Sequence, residues 1–242
     1  MFKPDNALIT SDSKMSDTIL VNPYLLLLLE HFEINVPLGD KTVVQICEEK
    51  QINVELFLTF SNFYNGIQYI PKNAFTYQDA LTIITFLRNS HRFYSEEIYP
   101  NVLITIEQMA NVNDFKEMAL VPKFFVDYFQ EVTEHLDYEN NVVHPYILDL
   151  CELLKNKVHK GIKPKYSVTE YKDHHSDIEE KLDDLKNLLI KYLPQKNDRY
   201  IRRKLLFLLS ELEFDLNIHS QIEDLILIPL VAEMEVAINQ PK

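Results

Sequence analysis

The sequence predicts an all-α protein, with an up-down-up-down four-helix bundle preceded by a small helical domain. Glycine occurs only three times among 242 residues and tryptophan is absent, which disfavours a β-rich fold with many tight turns. Apolar residues make up 46% and charged residues 25% of the chain, the usual balance of a globular protein. Long stretches rich in Leu, Ile, Glu, Lys and Asp therefore indicate amphipathic helices.

The first 68 residues are predicted to form a tail and a small domain. Residues 1–17 are polar and are expected to be a loose tail. Three short helices follow, over 23–32, 42–49 and 54–64. Pro37 and Gly39 separate the first two, because both residue types interrupt helices, and Asn53 is a suitable N-cap for the third. We assign residues 18–68 to this domain.

Residues 73–242 are predicted to form the four-helix bundle. Thr76 and Asp79 resemble the capping box that opens a long helix. Four helical stretches follow, over 77–110, 114–159, 167–192 and 197–237. The connections between them are short, which is typical of antiparallel neighbours. Pro145 and Pro229 interrupt the second and fourth stretches and should kink those helices.

Two copies of the pattern His-x3-Glu-x5-Pro identify a candidate site. They comprise His135, Glu139 and Pro145, and His219, Glu223 and Pro229. A histidine and a glutamate four residues apart lie on one helix face, so both can bind the same metal ion. His91 and His175 each lie 44 residues before one copy. That spacing suits a helical hairpin that returns to the level from which it started.

The pattern predicts a dinuclear metal site with six ligands: His91, His135, Glu139, His175, His219 and Glu223. Polar groups on apolar helix faces need a partner, because their burial is otherwise unfavourable. Mixed imidazole and carboxylate ligation favours iron or manganese. The two carboxylates can bridge the ions, and the histidines then fill terminal positions. Glu131 and Asp215, each one turn before a ligand histidine, are placed to orient the imidazoles.

Other residues near the pattern receive different predictions. His174 is the alternative to His175, although the apolar seam of the third helix favours His175. Glu179 is expected to be a solvated carboxylate within an acidic run. The remaining histidines match no paired pattern and are predicted to be surface or packing residues: His31, His144 and His159.

These motifs resemble the hemerythrin-like di-iron proteins, specifically the repair-of-iron-centres family. The stretch 22–66 resembles that family's N-terminal domain, and the remainder, from Asn89-Ser90-His91 onward, resembles its bundle. The resemblance implies that the six ligands hold two iron ions, joined by an oxo or hydroxo bridge, with manganese as an alternative. It also implies repair of iron–sulfur clusters after nitrosative or oxidative damage, by iron donation and by reaction with NO or O2. Many members carry adjacent cysteines where this chain reads Val36-Pro37-Leu38, so the resemblance does not support a thiol-dependent role.

Charge and composition narrow the expected partners. The net charge of −13 argues against nucleic acid and anionic membranes. The longest leucine run has five residues, far fewer than the ~20 that span a bilayer, and the N-terminus lacks a secretory signal. Two isolated cysteines fit a reducing cytoplasm. The expected partners are damaged iron–sulfur proteins and NO or O2, and a homodimer stays open.

Two other functions stay open. One is a di-iron sensor or regulatory protein that binds O2 or NO, with the N-terminal domain as a protein-contact module. Residues 42–64 have a helix-turn-helix character, but residues 1–70 carry nine acids against four lysines, which disfavours DNA binding. The other is a metal-free helical interaction protein. It is disfavoured because loss of metal binding should have altered at least one ligand.

Overall fold

The computed structural model describes residues 7–72, 75–113, 118, 120–156, 167 and 180–239. Over these residues the protein is all-helical, which confirms the predicted fold class. The described part contains no β-strand, and its single β-bridge joins Lys14 to Thr42. None of the described helices has the length and apolarity that crossing a membrane requires.

Four short helices form the N-terminal part. They are α1 (Met15–Val21), α2 (Leu25–His31), α3 (Val43–Lys50) and α4 (Val54–Tyr64). Asn53 caps α4 as predicted, since its side-chain oxygen accepts the backbone N–H of Glu55 at 3.0 Å. Thr42 and Gln45 form a full capping box at α3. These caps satisfy backbone donors that would otherwise lack partners at the helix ends.

The later helices are long and contain π-helical turns. They are α5 (Ala80–Arg92), π1 (Phe93–Ile98), α6 (Tyr99–Asn111), α7 (Leu120–Tyr138), π2 (Glu139–Val143), α8 (His144–Lys155), α9 (Glu180–Asn187), π3 (Leu188–Tyr192), α10 (Arg199–Ile222), π4 (Glu223–Leu227) and α11 (Ile228–Asn239). The predicted stretches match wherever the structure describes them. Thr76 and Asp79 form half of the predicted capping box, because Asp79 Oδ2 accepts the backbone N–H of Thr76 at 2.8 Å. The Thr76 hydroxyl accepts the N–H of Gln78 at 3.3 Å instead of that of Asp79, and α5 begins at Ala80.

Each of these π-helical turns ends two residues before a proline. The prolines are Pro100, Pro145, Pro194 and Pro229. Proline has no N–H, and its ring clashes with the carbonyl four residues earlier. A π-helical turn widens the backbone at that point, so the helix can tolerate the missing donor. At Pro145 and Pro229, where the sequence predicts kinks, the helix therefore widens and continues into α8 and α11.

The prediction of a loose tail over 1–17 is wrong for the described residues 7–17. The backbone N–H of Ile9 donates to Asn62 Oδ1 at 2.9 Å, and Asn62 Nδ2 donates back to Ile9 O at 3.0 Å. Ile9 and Met15 are buried, and α1 begins at Met15. The burial of these two apolar side chains is enough to order an otherwise polar segment. The average polarity of the segment does not reveal this. Residues 1–6 lie outside the described part.

Contacts divide the chain into two compact units. Unit 1 comprises Met1–Asn89, His144–Lys172 and Ile218–Lys242, and unit 2 comprises Ser90–Val143 and Asp173–Asn217. In unit 1, α2 and α3 pack on α4, and α8 packs on α11. In unit 2, buried side chains from π1, α6, α7, α9, π3 and α10 form one apolar core. The domain division into 18–68 and 73–242 stays a prediction.

Side chains in the middle and later turns of α5 join it to the N-terminal helices of unit 1. The ring of Phe86 lies 4.8 Å from that of Phe32 and 4.9 Å from that of Phe60. Asn89 Nδ2 donates to the backbone oxygen of His31 at 2.8 Å. The helix that carries His91 is therefore in contact with α2 and α4.

Candidate metal centre

The centre of the candidate site is the carboxylate of Glu139, the first residue of π2. This side chain is 1% exposed. Its Oε1 atom lies 3.1 Å from Nε2 of His135, and its Oε2 atom lies 3.4 Å from Nε2 of His91. Each carboxylate oxygen thus faces a different imidazole, the arrangement that a carboxylate bridging two metal ions requires.

Helix periodicity explains how the sequence produces this cluster. His135 lies near the end of α7, and Glu139 follows one turn later on the same face. His91 lies near the end of α5, on the same face as the buried Ile84 and Leu87. The apolar neighbours bury this face, so the polar atoms of the three side chains meet away from solvent.

A neighbouring amide fixes the protonation of His91. Nδ1 of His91 lies 3.1 Å from Oδ1 of Asn140. An amide oxygen can only accept a hydrogen bond, so Nδ1 carries the proton and donates it. In the neutral ring, Nε2 then carries the lone pair on the side of Glu139, as a metal-binding histidine requires.

The second copy of the pattern forms a matching pair. Nε2 of His219 lies 3.4 Å from Oε2 of Glu223, and both side chains are buried. Glu223 is the first residue of π4, just as Glu139 is the first residue of π2. The two carboxylates therefore occupy equivalent positions in their helices, at the point where the backbone widens.

Each compact unit offers imidazole and carboxylate ligands for a metal ion. In unit 2 the Glu139 carboxylate lies within 3.4 Å of two imidazoles, and in unit 1 Nε2 of His219 lies 3.4 Å from Oε2 of Glu223. Ligand atoms at about 2 Å from an ion lie within ~4 Å of one another, so each of these pairs is close enough to share an ion. Two imidazoles and a carboxylate fit iron, manganese or zinc by ligand type. The residues present are therefore compatible with the predicted metal.

The structure brings five of the six predicted ligands into contact with another predicted ligand: His91, His135, Glu139, His219 and Glu223. The sixth, His175, lies outside the described residues, as do His174, His159 and Glu179. His31 is a packing residue as predicted, with its ring edge against Phe86 at 5.1 Å. His144 is fully buried.

The prediction that Glu131 orients His135 is wrong. Its side chain is 61% exposed and its carboxylate pairs with Lys181. His135 is only partly buried. The helix face that carries it reaches solvent one turn earlier, where Glu131 lies. The position of Asp215 is different, because this residue is buried and accepts a hydrogen bond from the Tyr94 hydroxyl at 2.8 Å. A bond from Asp215 to His219 stays a prediction.

Sequence reasoning missed Asn140 and Tyr94. Asn140 directly follows the ligand Glu139, and Tyr94 lies three residues after His91, within π1. Helical spacing from His91 could have identified Tyr94 as a neighbour of the site. The role of Asn140 depends on a contact between two helices, which no spacing within one helix reveals.

Neither cysteine takes part in the His–Glu contacts described above. Burial raises the pKa of the Cys47 thiol to about 12 and that of Cys151 to about 11, so both thiols stay protonated well above neutral pH. Sγ of Cys151 contacts the backbone oxygen of Tyr77 at 3.4 Å. The ligand chemistry of the site is that of imidazole and carboxylate.

No protein-family model, curated protein or solved structure matches the chain.

Proposed function

We propose that the protein is a hemerythrin-like non-haem di-iron protein that repairs iron–sulfur clusters damaged by nitrosative or oxidative stress. The observation that carries the proposal is the Glu139 carboxylate, whose two oxygens face the Nε2 atoms of His91 and His135. The motif resemblance supplies the repair activity and the up-down-up-down arrangement of the bundle over 73–242. The two free cysteines are consistent with the cytoplasmic location that we include in the proposal.

Six residues would hold the iron pair: His91, His135, Glu139, His175, His219 and Glu223. Bound iron would supply redox chemistry and an open position for NO or O2. The protein's own residues keep this site in order. Asn140 fixes the imidazole of His91 through Nδ1, and the burial of Glu139 and Glu223 limits access of water to the carboxylates. Damaged iron–sulfur proteins would be the recipients of the iron.

A cluster-repair assay tests the proposal. The iron-loaded protein is mixed with an NO-damaged iron–sulfur enzyme, and recovery of that enzyme's activity is measured. The double variant Glu139→Gln, Glu223→Gln should lose repair, because a neutral amide is a poor metal ligand and a poor bridge. The control Glu131→Gln, Asp224→Asn changes exposed carboxylates nearby and should retain repair. Full repair by the first double variant would remove the metal site from the mechanism.

A sensor of NO or O2 is the second candidate function. The contacts of Phe86 and Asn89 with α2 and α4 favour it, because they connect the N-terminal helices to the helix that carries His91. Hydrogen exchange of α1–α4 should change on NO binding if this function is correct. Unchanged exchange together with active cluster repair would favour the first function.

A further inference from the structure

Positive charge is concentrated in one short segment of this acidic protein. Residues 191–204, here called the basic segment, contain six cations and one carboxylate: Lys191, Lys196, Arg199, Arg202, Arg203, Lys204 and Asp198. Their net charge is +5, whereas the chain as a whole carries −13. The segment lies within unit 2, between the end of π3 and the second turn of α10.

One cation of the basic segment has an internal role. Arg202 is buried and donates to Asp198 Oδ2 at 2.7 Å, to the backbone oxygen of Leu193 at 3.1 Å and to that of Pro194 at 3.0 Å. It also donates to the backbone oxygen of Leu189. The guanidinium therefore fixes the connection between π3 and α10. The single carboxylate of the segment pairs with this guanidinium through Oδ2.

The other cations are exposed, and one of them lies beside an exposed aromatic ring. Tyr200, Arg203 and Phe207 follow the helical spacing i, i+3, i+7 on α10, and we call this surface the Tyr200 face. Tyr200 and Phe207 are 68% and 69% exposed. The guanidinium carbon of Arg203 lies 5.6 Å from the centre of the Tyr200 ring. Within the described part of the chain, no carboxylate pairs with Arg199, Arg203 or Lys204.

An open groove adjoins the basic segment at its beginning. Its volume is about 370 Å³, and it is lined by Phe124, Asp184, Leu185, Asn187, Leu188, Lys191 and Tyr192. Apolar and aromatic side chains form most of the lining, and the ammonium group of Lys191 and the carboxylate of Asp184 are its charged groups. Such a groove can receive an apolar side chain while the cation beside it pairs with a carboxylate.

We propose that the Tyr200 face and this groove form a docking surface for an acidic segment of a partner protein, one that carries Asp and Glu residues around a large apolar side chain. Charge complementarity supports this occupant, because the surface presents several outward cations without a paired carboxylate. Exposed Tyr, Phe and Arg on a rigid helix are the residues that dominate protein–protein interfaces. A long polyanion such as nucleic acid is disfavoured, because the rest of the chain is strongly negative and would repel it.

Fluorescence anisotropy with a synthetic peptide tests this proposal. The labelled probe contains Glu and Asp residues around one central Phe, and it is titrated with the full chain. The variant Arg199→Glu, Lys204→Glu should weaken binding at least about tenfold, because like charges then face each other. Phe207→Ser should weaken it as well. The control Lys72→Glu, Lys155→Glu makes the same change in net charge elsewhere and should weaken binding less than about twofold.

Three results would overturn the proposal. The first is equal loss of binding in the control variant, which would mean that only net charge matters. The second is tighter binding of a single-stranded DNA oligonucleotide than of the peptide. The third is that the wild-type chain forms a concentration-dependent dimer that does not bind the peptide, and that this dimer dissociates in the Arg199→Glu, Lys204→Glu variant. The face would then contact a second copy of the chain. Circular dichroism of each variant verifies that its helices are intact.

Discussion

At the residue scale, the site depends on how two carboxylates and their histidines share a helix face. The spacing of four residues correctly placed His135 beside Glu139 and His219 beside Glu223. The same rule failed for Glu131, because spacing defines a helix face but does not define which part of that face is buried. Contacts between helices, such as that of His91 with Asn140, depend on the packing of separate segments.

The contact between Asn140 and His91 predicts an effect on metal affinity. Asn140→Ala should weaken iron binding by about 10–100-fold, because the imidazole loses the group that fixes its orientation and protonation. The measurement is competition for iron with a chelator of known affinity. Asn141→Ala is the matched control, since this neighbouring residue is exposed. Equal affinity of both variants would show that the Asn140 contact does not orient His91.

The buried pair of Arg202 and Asp198 predicts an effect on stability. Arg202→Met should lower the free energy of unfolding by about 3–5 kcal/mol, because Asp198 would remain buried without its counter-charge. Urea denaturation provides the measurement. Arg203→Met is the control, and as an exposed substitution it should change stability by less than about 0.5 kcal/mol. A similar small change for Arg202→Met would contradict the role assigned to the pair.

At the element scale, the main departure from the predicted helices is the set of π-helical turns. Over the described residues, composition and periodicity predicted the positions of the long helices within a few residues, because these helices have clear apolar faces. They did not predict the π-helical turns, since a π turn changes the hydrogen-bond register without changing helix propensity. The available signal was proline inside a helical pattern, from which kinks were predicted at Pro145 and Pro229.

Pro145 should hold Glu139 in its observed position by maintaining the π-helical turn π2. Pro145→Ala restores a backbone donor and allows the turn to return to ordinary α-helical bonding, which would rotate Glu139 relative to His91 and His135. We therefore expect weaker iron binding with equal or greater thermal stability, because alanine is the better helix former. The same chelator competition measures affinity. Pro122→Ala is the control. Pro122 lies in the first turn of α7, where backbone N–H groups have no partner within the helix, so its replacement restores no helical hydrogen bond.

At the scale of the whole molecule, the sequence predicted the all-α class and the ordinary balance of apolar and charged residues. It did not predict the ordered segment over 7–17, because that order depends on Asn62, a residue distant in sequence. The basic segment was not predicted either, because a net charge of −13 describes the chain and not its local surfaces. Composition is thus informative about class and uninformative about individual surfaces.

The buried thiols predict how the stability of the whole molecule depends on pH. Cys47 and Cys151 have native pKa values of about 12 and about 11, against 9.0 for an ordinary thiol. Above pH 9 the unfolded chain loses thiol protons that the native protein retains, so the free energy of unfolding should fall as pH rises. Urea denaturation below and above pH 9 measures this slope. The variant Cys47→Ala, Cys151→Ala should show a smaller slope, and an unchanged slope would assign the effect to other groups.

The central claim is that the His and Glu side chains around Glu139 and Glu223 hold a pair of iron ions. The most direct test is the metal content and optical spectrum of protein purified without oxygen, before and after exposure to NO. The account predicts two iron ions per chain and a spectrum that changes with NO, and it predicts that the Glu139→Gln, Glu223→Gln variant loses both. A wild-type chain that retains no iron, with a spectrum identical to that of the variant, would contradict it.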